Sequence, residues 1–314
     1  MGTVTARDLY HVPVLLEECL EGLAVQPGGV YVDGTLGGGG HFEEIIRALG
    51  PEGTAIGIDK DPESISRMRK RVSSTPVTVI IERASFSEMD SVLRSHGIGS
   101  VDGVLLDLGV SSRQIDDPSR GFSYRHDASL DMRMDPAAGR PAHEMLSSWD
   151  EPALARVLSD FGEIRNPERM ASAIARYARV RPLHSSSDML AALELEYGTV
   201  RPKVLSKVFQ ALRIAVNSEL DELQTGLVKA LDSLKRNGRL VVVSYHSLED
   251  RIVKNFIRDQ ERGCICPPEV PVCTCFKRAQ VKRINRKAIR PSQEEIAGNR
   301  RARSARLRMA EKVV

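Results

Sequence analysis

The 314-residue chain has no run approaching the ~20 apolar residues of a transmembrane helix. Met1 to His11 lacks the apolar core of a signal peptide. Cysteine is scarce: there are five, and four of them fall within residues 264–275, so no disulfide framework spans the chain. These absences exclude a membrane-embedded or disulfide-stapled protein and predict a cytoplasmic one with no membrane partner. Disorder is excluded as the default, because hydrophobic residues make up 41% of the sequence. The length suits one large domain or two smaller ones.

The net charge of +3 is small but unevenly spread. Lys277 to Arg308 holds twelve Lys or Arg against two Glu, so it carries +10 and the remainder −7. A basic C-terminal segment on an acidic body points to a polyanionic partner; the alternative is a solvated run that serves solubility. The tail Asn299–Arg308 has no interleaved aromatics, which favours phosphate contacts over base stacking.

The centre of the chain's organisation is Val30-Tyr31-Val32-Asp33-Gly34-Thr35-Leu36-Gly37-Gly38-Gly39-Gly40-His41. Val30–Val32 reads as a strand and Phe42–Leu49 as a helix, with five glycines in the seven positions from Gly34 to Gly40. Such a loop lets a backbone approach a nucleotide-like ligand at a helix N-terminus, where an ordinary turn would not need so many glycines. Ala55–Asp59 predicts a second strand, Val77–Ile81 a third and Val101–Leu106 a fourth. Their order with the intervening helices is that of a doubly wound sheet. Asp59 stands twenty residues after Gly39, the place of a ribose-binding acid, and either Asp59 or Asp61 can cap the helix near Pro62. Phe86, just past the third strand, can stack on an adenine or pack in the core. Asp107, at the end of the fourth, falls in the ligand crevice. His11 either lines the site or packs. At the start of the chain, Val14, Leu15 and Cys19 share a helical face, with Pro13 at the helix start.

No convincing strand follows until about residue 220. Asp116–Arg140 reads as loop, and helices are expected near 152–161, 167–180, 186–197 and 202–234. The expected layout is a core of residues 1–115 and 220–314, with a basic tail, interrupted by a helical domain of residues 116–219. A fifth strand over Gly238–Ser247 would bring Ser244, Tyr245 and His246 to the site, with Ser247 and Asp250 as a capping box for the next helix. A second box, Ser292 with Glu295, would open a short C-terminal helix. The one-residue spacing within Cys264/Cys266 and Cys273/Cys275 is tighter than in common structural zinc sites. It favours a paired-thiol loop or plain reduced cysteines, with no metal expected; the alternative is a zinc-stabilised interaction module confined to residues 264–275.

Two ligand classes fail on the sequence. From Gly37 the sixth residue is Phe42, so the nicotinamide fingerprint G-x-G-x-x-G is missing, and no Gly-Lys-Ser/Thr marks a phosphate-binding loop. An acid ahead of the glycines, Asp33, suits a ligand with an amino group and no phosphates, which is S-adenosylmethionine.

Together with His11-Val12-Pro13-Val14-Leu15, Leu106-Asp107-Leu108-Gly109-Val110-Ser111-Ser112, Arg120-Gly121-Phe122-Ser123, Leu130-Asp131-Met132-Arg133-Met134-Asp135, Phe209-Gln210-Ala211-Leu212-Arg213, Ser247-Leu248-Glu249-Asp250-Arg251 and Arg303-Ser304-Ala305, the glycine stretch resembles the bacterial 16S ribosomal RNA cytosine N4-methyltransferase family, known as RsmH or MraW. The resemblance implies a Rossmann-like S-adenosylmethionine methyltransferase core, of α/β class, with an inserted all-helical domain. It implies methylation of N4 of cytosine 1402 in the decoding region of the small subunit, with 16S ribosomal RNA or that subunit as partner. It places the cofactor on Gly39, Gly40, His41, Asp59, Phe86, Asp107 and Gln114, of which His41 and Gln114 rest on the resemblance alone. Leu36, Gly38 and Arg113 depart from the family pattern. For the chemistry, Asp107 is expected to accept from the amine, with Ser244, Tyr245 and His246 positioning the base. A dimer is among the oligomeric states left open. The competing readings are a methyltransferase for another nucleic acid or a protein, and a non-catalytic RNA-binding assembly factor.

Overall fold

A computed structural model of the protein describes residues 13–264, 266, 272 and 274–314, so His11 and Cys273 lie outside the described residues. The chain runs α1 (Leu16–Leu23), β1 (Val30–Asp33), α2 (Gly40–Leu49), β2 (Thr54–Asp59), α3 (Pro62–Arg71), β3 (Thr78–Arg83), α4 (Met89–Ser95) and β4 (Val101–Asp107). Six helices follow: α5 (Ser112–Asp116), α6 (Ala142–Ser148), α7 (Glu151–Asp160), α8 (Pro167–Val180), α9 (Ser186–Tyr197) and α10 (Pro202–Asn217). Then come α11 (Glu219–Ser233), β5 (Leu234–Ser244), α12 (Ser247–Glu261), β6 (Val281–Arg283), α13 (Gln293–Gly298) and β7 (Arg306–Lys312). Two compact units result, Met1–Gly109 with Glu222–Val314, and Val110–Asp221.

The first unit is a seven-stranded sheet in the order β3-β2-β1-β4-β5-β7-β6. β1 to β5 are parallel, and β7 runs antiparallel between β5 and β6. The strand order reverses between β1 and β4, so their carboxyl ends flank the crevice where ligands of such sheets bind. Alternation along the strands divides the apolar side chains between two faces. Leu105, Val241 and Val243 join Phe42, Ile45 and Leu49 in one cluster. Val104, Leu106 and Val242 join Ile56, Leu227 and Val253 in the other.

The segment read as a basic tail is in part a strand. β7 pairs with β5 from Arg239↔Glu311 to Ser244↔Arg306. Leu307 and Ala310 are fully buried, while Arg306 and Arg308 grip Asp250 at 2.7 and 2.6 Å. This is the reason for a correction on α12: its N-cap is His246, whose Nδ1 accepts from Glu249 N, while Glu249 Oε2 accepts from His246 N. Glu249 closes the box because the two arginines occupy the carboxylate of Asp250. The cap of α13 is half as expected. Ser292 Oγ accepts from Glu295 N, but the Glu295 carboxylate turns to Leu15 N, 280 residues away in sequence, at 2.8 Å. Asp61 caps α3 by accepting from Glu63 N at 2.9 Å.

The second unit is helical, and among its described residues strand pairing is limited to one bridge, Ser129↔Ser185. Its core gathers Leu146, Leu158, Ile174, Met189, Val208 and Leu212. Leu130 and Met132, from the stretch expected to be loop, are fully buried in the same core. The single helix expected over 202–234 is two. Ser218 takes a left-handed φ of 50°, and the break is held by Asn217. Its Oδ1 accepts from Met134 N and its Nδ2 donates to Met132 O, both at 2.7 Å.

Candidate active site

The loop after β1 is built from backbone hydrogen bonds to carboxylates. Thr35 N donates to Asp33 Oδ1 at 3.0 Å, and Gly37 N donates to Asp59 Oδ2 at 2.7 Å. The Thr35 hydroxyl donates to Asp33 at 3.4 Å and accepts from Asp107 N at 2.6 Å, tying the ends of β1 and β4 together. At Gly39, φ is 82° and a Cβ would lie 1.6 Å from Met68 Cε. At Gly40 a Cβ would lie 2.2 Å from Pro13 Cγ. Gly39 is required by both conformation and close approach, Gly40 by close approach alone.

Asp107 is the hub. Its Oδ1 accepts from the Tyr245 hydroxyl at 2.8 Å, and its Oδ2 lies 3.6 Å from His41 Nδ1. The other ring nitrogen of His41, Nε2, is 3.1 Å from the carbonyl of Val14, so Nε2 carries the hydrogen of that bond. At 3.6 Å His41 Nδ1 stands close to the Asp107 carboxylate without a hydrogen bond to it. Burial pushes Asp107 up to about 7, partly offset by the Tyr245 hydrogen bond, and burial lowers His41. Burial likewise raises Asp33 to about 7, against the pull of His41, and Asp59 to about 6, against the hydrogen bonds from Asp61 and Gly37. Three acids sit at the carboxyl ends of adjacent strands, each short of the positive charge that would keep it ionised. The Asp107 side chain keeps a quarter of its surface exposed, enough for a substrate group to reach it.

The other expected site residues divide. Tyr245 touches Asp107, but Ser244 is buried and donates to Arg306 O at 3.3 Å, pinning β7. His246 is engaged as the cap of α12. Phe86 packs its ring over Gly226 of α11, where a Cβ would come within 2.3 Å. Gln114 belongs to the helical unit, where its Oε1 accepts from Ser111 N at 2.9 Å in the capping box of α5. Two residues escaped the sequence reading of the site. Thr35 bridges Asp33 and Asp107. Buried Glu249 accepts from Tyr245 N at 2.8 Å, fixing the turn that carries the Tyr245 hydroxyl. The signal for Glu249 was its position three residues after His246. Beside Tyr245, a cavity of about 320 Å³ is lined by His246, Ser247, Arg290, Arg303 and Ser304.

A sheet with five parallel strands, a glycine loop at its switch point and acids on adjacent strand ends is that of a Rossmann-like cofactor-binding enzyme. The chain belongs to the MraW methylase family, whose model matches residues 8–313. It is similar to proteins named ribosomal RNA small subunit methyltransferase H. One from Heliobacterium mobile is 44% identical over 311 residues, covering 98% of this chain and 100% of the relative. One from Syntrophobacter fumaroxidans is 46% identical over 308 residues, covering 97% of each. One from Brevibacillus brevis is 41% identical over 314 residues, covering 99% of this chain and all of the relative. Among the described residues no helix is long and apolar enough to cross a membrane.

Proposed function

We propose that the protein transfers a methyl group from S-adenosylmethionine to the exocyclic N4 amine of cytosine 1402 in 16S ribosomal RNA, acting on the small subunit in the cytoplasm. The observation that carries this reading is Asp107: a carboxyl at the switch point, oriented by Tyr245, backed by His41 and partly exposed. The site fits the cofactor because its three underionised acids call for a cation, and S-adenosylmethionine brings a sulfonium and an amino group. Asp33 and the loop Gly37–Gly40 would hold the amino-acid end and Asp59 the ribose. Asp59 already accepts from Gly37 N and Asp61 N, and its carboxylate has lone pairs left for a hydroxyl. Phe86 would lie on the adenosine side. The bound cofactor supplies an electrophilic methyl group, so alignment and a dry site do most of the remaining work.

The chain's own residues handle the amine. Its lone pair is delocalised into the ring until a hydrogen-bond acceptor draws on an N–H. Asp107 is that acceptor, and it holds the proton that N4 gives up. Tyr245 fixes the carboxylate at the angle that serves the amine. The cavity beside Tyr245, with Arg290 and Arg303, grips a backbone phosphate of RNA whose target base is unstacked.

The test is transfer of labelled methyl from S-adenosylmethionine to small subunits lacking the modification, followed by nucleoside analysis. N4-methylcytidine at that position is expected. Label in another nucleoside would overturn the substrate assignment, and no label despite cofactor binding would overturn the reaction.

A further inference from the structure

We propose that Cys264, Cys266 and Cys275 are thiolate ligands of a zinc ion that staples the loop between α12 and β6. Their three sulfur atoms all lie within 4.8 Å of one another. The Cys264 and Cys275 sulfurs are 3.8 Å apart. A disulfide would need ~2.05 Å. Two vertices of a tetrahedron with zinc–sulfur bonds of ~2.3 Å are themselves separated by ~3.8 Å. The loop therefore already holds two of its sulfurs at the spacing of a tetrahedral edge.

The backbone around them is arranged for thiolates. Cys266 N donates to Cys264 Sγ at 3.4 Å, and Thr274 N donates to Cys266 Sγ at 3.4 Å. Hydrogen bonds from N–H groups favour the charged form of a thiol. Each Cys-x-Cys pair is too tight to fold as the usual two-residue knuckle. The structure avoids the problem by bringing Cys275 across from the other end of the loop, so the ligand set draws on both pairs. Soft sulfur donors select zinc over the hard divalent cations. On binding, three S–H bonds break, three sulfur–zinc bonds form and three protons pass to the solvent. The site lies outside the methyl-transfer machinery, so its role is to hold the loop.

The experiment uses the full chain purified under reducing conditions with zinc supplied, then dialysed. Elemental analysis should find about one zinc per chain. Exchange into cobalt(II) should give the sulfur-to-cobalt charge-transfer bands of a thiolate site. The double variant Cys264→Ser/Cys275→Ser should lose the metal while its cofactor affinity and sheet unfolding transition stay within twofold and a few degrees of the parent. The single variant Cys266→Ser should weaken zinc retention on its own against a competing chelator. Three outcomes would overturn the proposal: a chain that retains no zinc with all thiols titrating as reduced, zinc retained undiminished in the double variant, or a chain lighter by two hydrogens through a Cys264–Cys275 disulfide.

Discussion

The Tyr245 hydroxyl donates to Asp107 Oδ1 at 2.8 Å, joining the turn after β5 to the end of β4. Either residue can be altered without disturbing the sheet ladder. Asp107→Asn should lower turnover at saturating cofactor by ~10²–10⁴. Tyr245→Phe frees the carboxylate to rotate and should cost about tenfold in kcat. Single-turnover methyl transfer with saturating cofactor measures both; full turnover in Asp107→Asn would remove its role.

The pH profile follows from the raised value of Asp107, about 7. Below it the carboxyl is protonated and cannot accept from the amine; above it the carboxylate can. kcat/KM for RNA, which reports the free enzyme, should rise about tenfold between pH 6 and pH 8. Asp107→Asn should flatten that limb, and a limb unchanged in the variant assigns it to another group.

Stability of the cofactor-free protein should move the other way. Asp33, Asp59 and Asp107 all have folded-state values above the unfolded 3.8. Their contribution is fully present below about pH 4 and is lost as pH rises through 6 to 7, because the folded state then holds more protons than the unfolded one. His41, lowered by burial, has the opposite sign below its ordinary 6.5. Asp33→Asn should therefore raise the Tm at pH 8 relative to its effect at pH 5. Cofactor should stabilise more at pH 8 than at pH 5, since a cation keeps the acids ionised. Thermal melts at both pH values decide it, and equal shifts would contradict the burial argument.

Gly39→Ala forces a left-handed φ on alanine and drives its Cβ to 1.6 Å from Met68 Cε. The conformational cost is ~1–2 kcal/mol and overpacking adds ~1–3 kcal/mol. Relative to Met68→Ala alone, which carries its own core-truncation cost, adding Gly39→Ala should cost only the conformational part. Chemical denaturation of both single variants and the double variant separates the two.

Cutting the chain after Gln293 would remove β7, and with it buried Leu307 and Met309, each worth ~1.5–3 kcal/mol, and both arginine partners of Asp250. The truncated protein should lose its cooperative unfolding, so it says nothing about RNA. Arg290→Ala with Arg303→Ala should keep the fold and weaken RNA binding. The slope of log affinity against log salt should become shallower by ~1.4 if each arginine meets one phosphate of single-stranded RNA. An unchanged slope would take the cavity out of the RNA path.

The strands β1 to β5 were legible because each contains a β-branched or apolar run, although β5 begins at Leu234, four residues before its run; Asp33, Asp59 and Asp107 were legible as the residues that end three of them. β7 was hidden by its own charges. Arg306-Leu307-Arg308-Met309 alternates as a strand does, but Ala310 breaks the period and the surrounding arginines give the segment the look of a charged tail. The break at Ser218 was invisible because Leu212, Val216, Leu223 and Leu227 keep helical spacing across it; what ends α10 is Asn217 bonding to Met132 and Met134, some 85 residues earlier. Ser244 stood at a strand end like the others, but its hydroxyl is claimed by β7, an interaction no local pattern encodes.

The strand order has a consequence for biosynthesis. β1 to β4 emerge as one contiguous block, but β4 meets its neighbour β5 only after more than a hundred further residues have been made. Until then Val101–Asp107 is an open apolar edge, able to pair with a neighbouring nascent chain. The same delay leaves Asp107 without Tyr245 for the whole synthesis of the helical unit. A ribosome that stalls within that unit therefore holds a sticky half-sheet without the Tyr245–Asp107 hydrogen bond, an intermediate for chaperones to shield.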